Sequence, residues 1–227
     1  DHAFDFINEI LVSEHAAKLG DLAAPLVTKA LSNDPASSAA KLIVNCAAAP
    51  ARADAIKAVL FETIAARGDI KPELSPELVA ALGKLMESPT TGPWILPLAA
   101  KWDGDGKLAA QKAALVKSMA SRLGDRNAGE DVRVSAARGL AGVGDDTALK
   151  SVAALLTNEK ESEGLQKRVM TMLGETGHAE IIADVFGELA PKLRGSAFDL
   201  IVGRPEAALD LLAAVEKGSV KPELFGP

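Results

Sequence analysis

The chain has 227 residues, of which 48% are hydrophobic and only 4% aromatic, and it contains no tyrosine. A formal net charge of −6 at pH 7 argues against nucleic-acid binding, because such binders gain much of their affinity by neutralising phosphates. The single cysteine, Cys46, excludes a disulfide, a cysteine zinc cluster and a Cys-x-x-Cys-His haem attachment within these residues. The apolar runs are shorter than the ~18–20 residues that a membrane span requires, so we expect no span.

Apolar residues recur with helical periodicity along almost the whole chain, and no alternating run indicates a strand. The predicted helices are, in order, 3–19, 21–31, 35–48, 51–67, 76–87, 92–101, 106–123, 130–142, 146–157, 162–175, 178–190, 192–203 and 205–217. Proline or capping residues mark helix starts at Asn33-Asp34-Pro35, Ser75-Pro76, Asp145-Asp146 and Arg204-Pro205. Left-handed helix stops are predicted at Gly20, Gly68, Gly124, Gly144, Gly177 and Gly218.

One helix-and-turn pattern occurs three times near the C-terminal end. Its first copy opens with Asp131-Val132-Arg133, carries Ala136 and Leu140 on one face, and ends at Gly144-Asp145. The second copy consists of Leu165-Gln166, Val169, Leu173 and Gly177, and the third of Leu193-Arg194, Ala197, Ile201 and Pro205. Each copy precedes a second apolar helix, and a helix pair recurring every ~30–40 residues is typical of an α-solenoid.

The predicted fold is therefore all-α: a right-handed solenoid of about six antiparallel helix pairs. We expect helical repeats over 1–90, an irregular junction with continuing helices over 91–128, and further repeats over 129–227. Leu140 and Leu173 occupy the same position of successive copies and are expected between the helices of their pairs.

The first copy, Asp131-Val132-Arg133 through Gly144-Asp145, resembles the first helix and turn of a HEAT or HEAT-like repeat. The segment 197–212, followed by Glu216-Lys217-Gly218, resembles the HEAT-like region of putative membrane-bound dehydrogenases of planctomycetes and verrucomicrobia. That family is thought to join a β-propeller, a HEAT-like array and a C-terminal c-type cytochrome. The resemblance implies a neighbouring redox domain of the same polypeptide as partner and a periplasmic or extracytoplasmic location. Without it, we expect a cytoplasmic protein.

The sequence motifs that resemble catalytic or metal-binding sites match only in part. We therefore expect no catalytic, cofactor-binding or metal-ligating residues, and no bound cofactor. The segment 102–107 resembles part of a calcium-binding loop with Gly106 at its turn position. The first and twelfth ligand positions of that loop would then be Lys101 and Lys112, and lysine cannot supply the oxygen ligands that calcium needs. Glu175 and His178 form only half of a di-iron motif. Glu159, Glu161 and Glu163 are interpreted as solvated charge, and Arg122, Arg126, Arg133 and Arg138 as solvent-facing salt bridges.

The sequence favours a non-catalytic interaction, scaffold or spacer module that binds a protein or a neighbouring domain. Its contact surface is expected on the concave side, formed by the second helix of each pair, with Lys150, Asp184 and Glu188 as candidate partner-binding residues. No small-molecule substrate and no nucleic acid are expected. The alternative is a HEAT-like DNA glycosylase or another nucleic-acid-binding solenoid, for which Trp94, Trp102 and Asp103 are the only indications.

Overall fold

The computed structural model describes residues 2–218 and 220–225, and it is all-helical over these residues, without a strand. This confirms the predicted fold class at the level of secondary structure. The described residues form two compact units, one ending at Val116 and the other beginning at Lys117. We call them the N-terminal unit and the C-terminal unit.

Thirteen α-helices lie within the described residues. The first six are α1 (His2–Val12), α2 (Gly20–Ala30), α3 (Pro35–Ala48), α4 (Asp54–Ala65), α5 (Pro76–Glu87) and α6 (Gly92–Trp102). The others are α7 (Ala109–Gly124), α8 (Glu130–Val143), α9 (Asp146–Thr157), α10 (Glu163–Glu175), α11 (Ala179–Asp184), α12 (Pro191–Val202) and α13 (Pro205–Glu216). Single 3₁₀ turns occupy Ala16–Lys18, Ala51–Ala53, Phe186–Glu188 and Pro222–Phe225.

The helix starts follow the predicted turn chemistry. The side chain of Asp145 accepts a hydrogen bond from the Ala148 backbone N–H at 2.8 Å, which satisfies one of the unpaired donors at the start of α9. Side chains of Asp34, Ser75 and Ser162 cap α3, α5 and α10 in the same way. Left-handed φ angles occur at Gly144, Gly177 and Gly218, as predicted, but not at Gly20, Gly68 or Gly124.

Two predicted helices are shorter than expected. α1 ends at Val12 rather than near residue 19, and the Ser13 hydroxyl then accepts a hydrogen bond from the His15 backbone N–H at 3.1 Å. Such a local bond offers the backbone an alternative to helix continuation. The predicted helix 178–190 breaks after Asp184 into the 3₁₀ turn Phe186–Glu188, just before Ala190, whose position ahead of Pro191 disfavours helical geometry.

Within the N-terminal unit, each helix packs against the helix that lies two positions further along the chain. α3 contacts both α1 and α5, while α4 contacts both α2 and α6. The odd and even helices therefore form two rows, and the buried core between them is built largely from alanine, leucine and isoleucine. An alanine-rich core allows close helix packing.

The C-terminal unit has the same alternation. α10 packs against α8 and α12, which forms a first row, while α11 packs against α9 and α13, which forms a second row. Leu140 on α8 and Leu173 on α10 are both 0% exposed. The predicted burial of these two equivalent positions is therefore confirmed.

Candidate functional site

The candidate surface is the solvent-exposed side of the second row, α9, α11 and α13. All three candidate partner-binding residues are exposed: Lys150 on α9, Asp184 at the end of α11, and Glu188 in the following 3₁₀ turn. Because α11 packs against both other helices, residues of all three can contribute to one surface. The exposure of the three residues agrees with their place off the apolar stripe of the sequence.

Acidic side chains concentrate around Asp184. Its partial burial raises the pKa of the Asp184 carboxyl above the usual value, and the negative charges of Asp210 on α13 and Glu180 on α11 raise it further. Sequence reasoning missed both neighbours. Glu180 lies one helical turn before Asp184 and could have been found from that spacing, whereas Asp210 approaches only through the packing of α11 on α13.

This cluster predicts an unusual pH dependence for one substitution. The raised pKa means that ionised Asp184 costs stability, and this cost sets in as the pH rises through the pKa of the folded state. We therefore expect Asp184→Asn to leave the free energy of unfolding unchanged near pH 3 and to increase it at pH 7. Urea unfolding at both pH values measures this, with Glu188→Gln as control for removing one exposed carboxylate. A loss of stability at pH 7 would show that Asp184 makes a favourable contact instead.

The end of the C-terminal unit also exposes apolar side chains. Leu209 and Leu212 of α13 are 65% and 60% exposed and lie one turn apart. Phe198 of α12 is partly covered by the Phe225 ring, which meets it edge-on at 5.6 Å and stacks on Phe186 at 5.2 Å. The second row therefore offers acidic and apolar groups side by side.

Three equivalent side chains close the ends of preceding helical segments. Arg133 of α8 donates from Nε to the Leu123 carbonyl at the end of α7, at 2.8 Å. Gln166 of α10 donates from Nε2 to the carbonyls of Leu155, Leu156 and Asn158 at the end of α9. Arg194 of α12 donates from Nε to the Leu189 carbonyl, just after the turn that follows α11. The position that aligns in the three sequence copies thus performs one structural task, which is to supply a side-chain donor to carbonyls at the end of a preceding segment.

This capping corrects two predictions. Arg133, expected in a solvent-facing salt bridge, is only 5% exposed and also donates from Nη1 to Glu161 Oε2 at 2.8 Å. Glu161, expected to be solvated, therefore lies in a buried ion pair. The hydrogen bond from Arg133 holds the pKa of the Glu161 carboxyl below its usual value, although burial opposes this. Arg126 makes the expected exposed contact, with its Nε 3.5 Å from Glu161 Oε1.

Exposed charges connect successive helices of the first row. Arg168 on α10 pairs with Glu130 and Asp131 at the start of α8, and Lys192 on α12 lies 3.4 Å from Glu163 on α10. Exposed pairs of this kind contribute about 0–1 kcal/mol each. They link the first-row helices to one another, whereas Asp184 and Asp210 of the second row have no ion-pair partner among the described residues.

Two of the three residues that suggested a glycosylase, Trp102 and Asp103, belong to the interior. Trp102 is 2% exposed and its indole N–H donates to the Ile70 carbonyl at 2.9 Å. Burial disfavours an ionised Asp103, but hydrogen bonds from Lys112 and the Leu108 backbone N–H hold its pKa below the usual value. Trp94 is half-buried. Trp102 and Asp103 therefore stabilise the turn between α6 and α7 and are not presented to a ligand at the surface.

His178, which belongs to the half di-iron motif, has a neighbouring carboxylate. His178 Nδ1 lies 3.2 Å from Glu180 Oε1, within the turn that leads into α11. Among the described residues, no group of three or more histidine, cysteine, aspartate or glutamate side chains is arranged to hold a metal ion. In the same part of the chain, no helix combines the length and apolar character needed to cross a bilayer.

Comparisons with known proteins give no match. No family model, curated protein or solved structure is significantly similar to the chain.

Cys46 provides a test of core integrity. It is 0% exposed in α3, and burial raises the pKa of its thiol to about 12. Because the thiolate is the reactive form, we expect no reaction of the folded chain with Ellman's reagent at pH 8 and full reaction in 6 M guanidinium, a strongly denaturing concentration. Rapid labelling without denaturant would show that α3 opens readily.

Proposed function

We propose that the chain is a non-catalytic interaction or spacer module, built as a right-handed solenoid of HEAT-like helix pairs. Two observations support the repeat architecture. In each unit, alternate helices pack into two rows. The aligned residues Arg133, Gln166 and Arg194 each close the end of the preceding segment. A recurring contact at a recurring sequence position is what stacked repeats produce.

The proposed contact surface is the exposed side of α9, α11 and α13. The observation that supports it is the acidic cluster of Asp184, Glu180 and Asp210. After burial, the charges of Asp210 and Glu180 add to the raised pKa of Asp184, and among the described residues neither Asp184 nor Asp210 has an ion-pair partner to offset this repulsion. A basic partner group would relieve it. Lys150 and Glu188 extend the surface along the row.

The proposed partner is a neighbouring redox domain of the same polypeptide, as the family resemblance implies, and the proposed compartment is then extracytoplasmic. Inter-domain contacts commonly bury only ~600–1,500 Å², so we expect weak association when the domains are separated. The flanking coding sequence identifies the domains to test. Each can be expressed separately and titrated against this chain by isothermal calorimetry.

Charge reversal tests the surface. The triple variant Lys150→Glu, Asp184→Lys and Glu188→Lys is expected to weaken binding of the flanking domain at least about tenfold, because it inverts the charge pattern at the proposed contact. It should not lower the midpoint of urea unfolding, since all three side chains are exposed.

The control variant is Asp199→Lys, an exposed site on the first-row helix α12 that gives the same net change of charge. It should bind like the parent chain. Equal binding by the triple variant would leave the chain as a passive spacer. A salt-sensitive gel shift with alkylated duplex DNA would instead support the nucleic-acid alternative.

A further inference from the structure

A cleft of about 260 Å³ lies between the last turns of α1 and α3 in the N-terminal unit. It is far in sequence from the surface proposed above and does not depend on that proposal. Its wall is mainly apolar with two polar side chains, and its lining residues are Asn8, Leu11, Val12, Asn45, Ala48 and Ala49.

The two asparagines form one hydrogen bond with each other. Asn45 Nδ2 donates to Asn8 Oδ1 at 2.7 Å, and both side chains are partly buried. Within the described residues, Asn8 Nδ2 and Asn45 Oδ1 have no hydrogen-bond partner. One amide therefore offers donors and the other an acceptor, side by side at an otherwise apolar wall.

Two cations that donate to the helix ends beside the cleft are already engaged there. Arg52 donates to the carbonyls of Val12 and Ser13 at the end of α1. Lys57 donates to the Ala49 carbonyl at 3.0 Å and pairs with Asp54. No charged side chain is among the lining residues, and the two amides present a donor and an acceptor, so the cleft matches a neutral ligand group that has both.

We propose that this cleft binds an extended peptide segment through the backbone N–H and C=O of one residue. In an extended strand these two groups of a residue point to the same side, as they do towards a paired neighbour in a sheet. Asn45 Oδ1 accepts the N–H, and Asn8 Nδ2 donates to the C=O. The lining by Ala48, Ala49 and Val12 accommodates small apolar side chains of the segment.

Binding of a model peptide to the full chain tests this proposal. The probe is acetyl-trialanine N-methylamide, titrated into ¹⁵N-labelled protein while the side-chain amide signals of Asn8 and Asn45 are followed by NMR. We expect saturable shifts of both signals. The same peptide methylated on the central backbone nitrogen lacks the donated proton, so it should bind about tenfold more weakly, which corresponds to the loss of one hydrogen bond.

A matched variant locates the site. Asn8→Asp keeps the acceptor for Asn45 Nδ2 but removes the free donor and places a carboxylate against the peptide carbonyl, so binding should fall below detection. Asn127→Asp, the same change at a site in the C-terminal unit, should bind like the parent. Absence of saturable shifts in the parent, equal binding of the methylated peptide, or undiminished binding by Asn8→Asp would each overturn the proposal. The methylated-peptide comparison uses only the parent protein, so it holds even if a variant unfolds.

Discussion

Leu140→Ala and Leu173→Ala are each expected to lower the free energy of unfolding by about 2–5 kcal/mol, the range for truncating a buried leucine. Both side chains are fully buried, one on α8 and the other on the adjacent first-row helix α10. Each truncation removes apolar contacts and leaves a cavity that the surrounding helices fill only partly. Urea unfolding followed by circular dichroism measures the change.

Leu209→Ala is the control for this series. The leucine is 65% exposed on α13, so the same chemical change should alter stability by no more than about 0.5 kcal/mol. If both core variants also changed by less than about 0.5 kcal/mol, the two positions would not be equivalent core sites of successive pairs.

Breaking the Arg133–Glu161 pair is expected to cost a similar amount. Arg133→Met leaves the Glu161 carboxylate buried with only the weaker Arg126 contact, and it leaves the Leu123 carbonyl without its side-chain donor. Removing one member of a buried ion pair typically destabilises a protein by about 3–5 kcal/mol. Chemical unfolding at pH 7 checks this value.

The double variant Arg133→Met with Glu161→Met, compared with the two single variants, measures the interaction energy between Arg133 and Glu161. Because no unpaired charge remains, it should be more stable than the sum of the two single changes predicts. Strict additivity would show that the pair is not coupled.

Acid should abolish this coupling. The pKa of Glu161 is lowered in the folded chain, so the stabilisation by the pair is complete above the usual carboxyl pKa. It is lost as the pH falls through the lowered pKa of the folded state. The difference in stability between the parent chain and Arg133→Met should therefore shrink towards pH 2, a value chosen to lie below ordinary carboxyl pKa values.

The sequence predicted the secondary structure well because its signals are local. Capping at Asp145 and the left-handed turn at Gly144 depend only on neighbouring residues, and both appear at the expected places. The early end of α1 shows the limit of periodicity. The apolar pattern continues past Val12, but a hydrogen bond to the Ser13 hydroxyl forms in the segment that follows.

The site was harder to predict because its decisive contacts are not local. Glu161, in the connector between α9 and α10, meets Arg133 of α8, and Asp210 approaches Asp184 only after α13 packs on α11. The exposure of Lys150 could be predicted from helical periodicity, whereas the burial of Arg133 could not be predicted in this way. A charged residue in a helix start usually faces solvent, and the Leu123 carbonyl at the end of α7 together with the Glu161 carboxylate explains why this one does not.

The capping by Arg133, Gln166 and Arg194 has a direction. In every case the donor lies later in the chain than the carbonyls it closes. During synthesis, the end of each such segment therefore leaves the ribosome before the side chain that completes it. The closing residue belongs to the next helix pair, so the set of contacts at the end of each such segment is complete only after those later residues have been translated.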